Sequence, residues 1–160
     1  VQYSQPLSIM MIDADNLKTV NDTHGHKAGD KLIETIAGAI RDCLRTSDIT
    51  CRYGGDEFVA LLPHLPSKKA RETAERLRSA VESTSFDVDG VRISTTVSVG
   101  VASYPDEVKI ADELMEKADE ALYKSKASGR NCVITYSQLM EEANKPVIEQ
   151  RQPLERRTSE

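Results

Sequence analysis

The sequence predicts an α/β domain, a mainly antiparallel central sheet with helices packed on it. Three observations carry that expectation. Leu7 to Ile12 is a nearly continuous apolar run, the pattern of an internal strand. Leu32, Ile33, Ile36, Ala37, Ile40 and Leu44 recur at helical spacing with one packed face. Short β-prone runs flank Gly54-Gly55 and Asp89-Gly90, which marks two hairpins.

Taken in order, residues 1–6 form a polar lead-in ending at Pro6, and the first strand follows. Asn21 to Gly25 is turn and cap chemistry, with Leu17 and Val20 pinning a short helical turn before it. A helix spans Asp30 to Leu44, with Asp30 placed to cap it. Ile49 to Cys51 and Phe58 to Leu62 are strands joined by the glycine turn, where Gly54 and Gly55 are expected to supply permissive dihedrals. Ser67 caps a second helix, in which Ala70, Ala74, Leu77, Ala80 and Val81 repeat at three and four. Phe86 to Val91 is a strand broken at Asp89-Gly90, and Ile93 to Val101 alternates as one half-buried strand. A third helix from Ile110 to Lys126 turns Leu114, Met115, Ala118, Leu122 and Tyr123 inward, and Ser128-Gly129 stops it. Cys132 to Tyr136 is the last strand. Beyond it, periodicity fades and Pro146 and Pro153 interrupt a polar stretch, read as a short helix followed by a loose tail. The division expected is 1–136 for the folded domain and 137–160 for a polar extension, partly helical and then disordered.

At 160 residues the chain fits one domain with a usable core. The formal charge of -5 and the lack of a basic stripe argue against broad nucleic-acid binding. Phosphate ligands would then need local cations or metal. Cys43, Cys51 and Cys132 show no paired metal spacing and are expected as reduced, mostly buried thiols. No apolar stretch approaches membrane-spanning length, so a cytoplasmic domain is expected, alone or as part of a membrane-bound protein.

The acids are the informative residues. Asp13 and Asp15 stand at the end of the first strand, and Asp56 and Glu57 directly follow the glycine turn. Carboxylates at two strand ends are poor core material unless paired or metal-bound. Asp13, Asp56 and Glu57 are therefore read as oxygen donors for Mg²⁺ and a phosphorylated substrate. Asp15 is read as a turn acid facing solvent.

Gly54-Gly55-Asp56-Glu57-Phe58 also resembles the defining motif of the GGDEF domain, the diguanylate cyclase family. Further pieces agree in order between residues 7 and 135: Asp13-Ala14-Asp15-Asn16-Leu17-Lys18, Asn21-Asp22, Gly25-His26, Gly29-Asp30, Ser98-Val99-Gly100, Ala118-Asp119, Ala121-Leu122-Tyr123 and Gly129-Arg130-Asn131. The resemblance implies a palm-like fold similar to class III nucleotidyl cyclase domains. It implies condensation of two GTP into cyclic di-GMP, a bacterial second messenger, by a homodimer with two Mg²⁺ (or Mn²⁺) per site. By position, Asp13, Asp56 and the Ala14 carbonyl match the metal ligands. Glu57 matches the acid needed for activity, as second-metal ligand or base. Asn21 and Asp30 match the readers of the guanine edge, and Lys126 and Arg130 the triphosphate cations. Arg45 and Asp48 match an inhibitory site for the product, with Arg78, or less readily Arg76, as a further cation. The chain begins after the opening segment usual in the family, and an upstream sensor or regulatory domain is expected in the full-length protein. Two rival readings are a catalytically silent GTP or cyclic di-GMP receptor or dimerisation domain, and a cyclase using adenine nucleotides, which Asp30 disfavours.

Overall fold

The first strand, β1 (Leu7–Ala14), is the middle of a five-stranded sheet in the order β2-β3-β1-β6-β7 in the computed structural model, which describes residues 4–146. The hairpin β2 (Ile49–Arg52) and β3 (Glu57–Pro63) lies on one side of β1. On the other side β6 (Val97–Tyr104) runs antiparallel to β1, and β7 (Val133–Thr135) adds parallel to β6. β4 (Ser85–Val88) and β5 (Val91–Ser94) form a separate hairpin. The sheet is thus mainly antiparallel, as expected.

Alternation along β1 sorts the two cores. Met10 and Ile12 face α2 (His26–Cys43) and α3 (Ser67–Glu82), packing with Leu32, Ile36, Ala74 and Leu77. Ile9 and Met11 face the other way, toward Leu114, Ala118 and Leu122 of α4 (Leu114–Ala127). Those three α4 residues are spaced at i, i+4, i+8, one stripe of the helix. A short α1 (Leu17–His24) connects β1 to α2, and α5 (Tyr136–Ala143) follows β7. Where α4 crosses β6 at Gly100, a Cβ would collide with the Ala118 carbonyl and the Leu122 backbone. Only glycine permits that approach.

Several expectations are corrected. The single strand from Ile93 to Val101 is two, β5 and β6, parted at Thr95–Thr96, where the Thr95 hydroxyl donates to the Asp15 carbonyl (3.1 Å). β6 is covered on both faces rather than half-buried, with Ser98 and Ala102 fully enclosed. Met115 and Tyr123 lie off the buried stripe of α4, and Tyr123 is 77% exposed. Asp30 sits in the second turn of α2, which begins at His26 with Gly25 as its cap, and Ser67 is the first residue of α3 rather than its cap. None of the cysteines is fully buried, and Cys51 is exposed on the edge strand β2. After β7 the chain forms α5, nucleated by a capping box in which Thr135 and Gln138 satisfy each other's backbone amides. The loose tail expected near the C-terminus falls largely outside the described residues. Among those described, no helix is long and apolar enough to cross a membrane.

Candidate active site

Pairing between β1 and β3 builds the site. The register sets Ile12 opposite Phe58 and Asp13 opposite Glu57, and the Ala14 amide donates to the Asp56 carbonyl at 2.8 Å. Strand parity puts the Asp13 side chain on the Ile9 and Met11 face, toward α4. Lys126, one helical turn beyond Leu122, meets it in an ion pair. The Asp13 carboxyl is almost enclosed, with 7% of its side chain exposed. Burial pushes its pKa up to about 6, Lys126 opposes that rise, and the neighbouring Asp56 carboxylate adds to it. For Lys126 the sign is reversed: burial, the largest single influence, lowers its pKa, but the bond to Asp13 together with the charges of Asp13, Glu57 and Asp56 outweighs it and the net shift is upward.

The glycine turn works differently from the expectation. Neither Gly54 nor Gly55 has a positive φ. Instead, a Cβ on Gly54 would stand 3.2 Å from the Glu57 carboxylate, so the glycine leaves that side chain room. Arg52 clamps the turn from its own strand end, donating to the Gly54 carbonyl (3.2 Å) and the Gly55 carbonyl (2.6 Å).

Asp13, Ala14, Asp56, Lys126 and Arg130 line one cleft of about 250 Å³, floored by the loop from Asp15 into α1. Asp13 from β1, Asp56 from the β2–β3 turn, Lys126 from the end of α4 and Arg130 from the loop after it therefore converge, and Asp15 and the α1 cation Lys18 line the same cleft. Among the described residues, no three His, Cys, Asp or Glu side chains stand close enough to hold a metal by themselves, and Glu57 stands directly across the strand pair from Asp13. The set still suits Mg²⁺, which takes one or two carboxylates and fills its octahedron with phosphate oxygens and water. The Lys126 ammonium on Asp13 already occupies the place of a counter-cation.

A family model described as "Diguanylate cyclase, GGDEF domain" matches residues 1–132. The chain belongs to that family. This GGDEF domain is 46% identical over 132 residues to Diguanylate cyclase A of Treponema denticola, covering 82% of this chain and 36% of that protein. It is 42% identical over 132 residues to Diguanylate cyclase DosC of Escherichia coli, covering 80% of this chain and 28% of the relative. It thus spans about a third of the length of the curated relatives it matches. Among solved structures, the GGDEF domain of YfiN from Pseudomonas aeruginosa superposes with a TM-score of 0.80 at 33% identity, covering 87% of this chain and 81% of that one. The GGDEF domain of DgcB from Caulobacter crescentus, solved in complex with c-di-GMP, gives 0.77 at 32% identity, covering 82% and 78%.

The other candidate residues of this GGDEF domain are spread more widely. Asn21, on α1, packs so tightly on Gly29 that a Cβ there would strike its amide group. Asp30, the next residue on α2, lines a second cleft of about 440 Å³ toward the β4–β5 hairpin, spanned by the Lys27–Asp89 ion pair at 3.7 Å. Arg45 and Asp48 bond to each other, Nη2 to Oδ1 at 2.7 Å, and Arg45 also holds the Pro63 carbonyl. The α3 cation that reaches this segment is Arg76, whose Nη2 donates to the Cys43 carbonyl at 3.1 Å. Arg78 is engaged elsewhere, by Glu75, Glu82 and Asn131.

Asp15 is not a solvent-facing turn acid. It is 2% exposed and accepts from the Thr96 hydroxyl (2.7 Å), the Ser98 hydroxyl (2.8 Å) and the Asn131 amide (3.1 Å). A buried carboxylate with three donors is a structural hub tying β1, β6 and the α4–β7 loop. The sequence signal for it was parity: Asp15 continues the buried strand by two residues beyond Asp13.

Proposed function

We propose that this domain is a diguanylate cyclase, joining two GTP into cyclic di-GMP with release of two pyrophosphates. The convergence of Asp13, Asp56, Lys126 and Arg130 on one cleft carries the reading. Family membership and the names of the relatives support the reaction. Asp13 and Asp56, with the Ala14 carbonyl, would hold Mg²⁺. When bound, the metal lowers the pKa of the attacking hydroxyl and neutralises charge on the phosphates.

The protein's own contribution is placement and charge. Lys126 and Arg130 take the triphosphate. With Mg²⁺ held at Asp13, Lys126 would be free to turn from that carboxylate to the triphosphate. Glu57 supplies the remaining carboxylate, as a ligand of a second metal or as the acceptor of the 3′-hydroxyl proton. Asn21 and Asp30 read the guanine edge: the Asn21 amide can donate and accept, and the Asp30 carboxylate accepts from the N1 and N2 donors. The 3′-oxygen bonds to the α-phosphorus of the facing GTP while the bond to pyrophosphate breaks. Each domain holds one GTP, so two domains must meet. Product inhibition at Arg45 and Asp48 requires the ligand to replace their mutual bond, because only 2% of the Asp48 side chain is exposed. Arg76, adjacent to that segment, is the cation proposed to complete it.

The test is cyclic di-GMP formation from GTP and Mg²⁺ across a range of protein concentrations. Product rising more steeply than linearly with protein, and vanishing in Glu57→Gln, is the expected result. GTP binding without product at any concentration would instead support a receptor. A pH dependence is also expected. Asp13 has a raised pKa, so protons compete with the metal up to about pH 6. Mg²⁺-dependent stabilisation of the GTP complex should weaken as pH falls through that value. In the unliganded domain the sign is opposite: the buried carboxyl favours folding while protonated, and that contribution is lost as pH rises from 3.8 to about 6. Metal-dependent melting measured at pH 5 and pH 7 checks both.

A further inference from the structure

The loop that carries Arg130 has an unusual backbone. Gly129, Arg130 and Asn131 all have positive φ (107°, 64° and 47°), so three consecutive residues occupy the left-handed region, two of them with side chains. Such a run persists only where its surroundings hold it. The holders are visible. The Arg130 amide donates to the Ser125 carbonyl (3.1 Å), and the Asn131 amide donates to Asp15. The Asn131 side chain is gripped at both ends: Arg78 Nη1 donates to Oδ1 (2.9 Å), and Nδ2 donates to Glu82. Arg78 is itself fixed, with Nε and Nη2 on Glu75 (2.8 and 2.6 Å) and Nη1 on Glu82 (3.1 Å), and its side chain is 16% exposed.

We propose that Arg78, with Glu82 and Asn131, is a positioning device for Arg130, holding the α4–β7 loop in the one backbone conformation that delivers the Arg130 guanidinium to the phosphate cleft. This rests on the reading of that cleft as a triphosphate site. Arg78 touches no substrate in this scheme; it acts through Asn131 and the backbone. Its donors are spent on two α3 carboxylates and one loop amide, which is a bracing geometry rather than a ligand-seeking one. The chemistry needs an arginine, because the planar fork serves Glu75 on one edge while Nη1 reaches Glu82 and Asn131 together.

The experiment measures GTP affinity by calorimetry and amide exchange at Asn131 on the same chain. Arg78→Ala is expected to weaken GTP about tenfold, and to speed exchange at the Asn131 amide by a similar factor. In an Arg130→Ala background the same substitution should change affinity by no more than about twofold, because a residue acting through Arg130 has nothing left to act through. Asn131→Asp should also lose affinity, by setting a carboxylate against Glu82. Adding Glu82→Gln should restore it, since the amide then donates where Asn131 did. Equal losses in both backgrounds, or an unchanged exchange rate in Arg78→Ala, would overturn the proposal. If the unsubstituted chain binds no GTP, the nucleotide reading itself fails, and the exchange rate still decides whether Arg78 braces the loop.

Discussion

Asp13→Asn should abolish cyclic di-GMP formation, by about 10³-fold or more, while leaving the fold intact. The magnitude follows from removing an almost buried charge that, in the proposed reaction, would face Mg²⁺ and the phosphates where electrostatics are weakly screened. The intact fold follows from the direction of its pKa. A carboxyl whose pKa is raised by burial costs stability when ionised, so at pH 7 the isosteric amide removes an unfavourable charge. Lys126 loses its partner, but with 35% of its side chain exposed it can turn to water. Steady-state turnover beside thermal melting tests this; a lost activity accompanied by a large drop in melting temperature would mean that Asp13 serves the fold instead.

Gly100→Ala should have the largest effect on stability. The added methyl would enter the backbone of α4 at Ala118 and Leu122, and backbone cannot turn aside as a side chain can. Either α4 lifts from β6 or β6 shifts against β1, and a cost of about 3 kcal/mol is expected. Denaturant titration should show that loss. Because α4 also carries Lys126, GTP affinity should fall in the protein that remains folded. A variant as stable as the parent would show that α4 is not seated on Gly100.

Much of this was legible from sequence because periodicity reports burial directly. The stripes of α2 and α3, the apolar β1 and the hairpin turns all emerge in place. The acids at two strand ends are likewise legible, because charge beside apolar runs needs a reason. What failed, failed where small residues misled. Ser98, Gly100 and Ala102 on β6 look like a solvent face, yet they are small because α4 presses on them. Asp15 looks like an exposed turn acid in the sequence because its donors, Thr96, Ser98 and Asn131, are distant along the chain. Arg78 and Arg76 differ by two positions on one helix, about 200° around its axis, so only the packed structure separates the one bonded to Asn131 from the one bonded to the Cys43 carbonyl.

The central position of β1 has a consequence for synthesis. Its partners are β3, ending at Pro63, and β6, ending at Tyr104, and its Asp13 meets Lys126 only at the end of α4. A chain leaving the ribosome therefore displays Asp13 long before anything exists to pair with it. Loop closure over such separations is slow and must precede its reward. The cleft between Asp13, Asp56, Lys126 and Arg130 is among the last features a nascent chain can assemble, so no partly made domain presents this set of charges together.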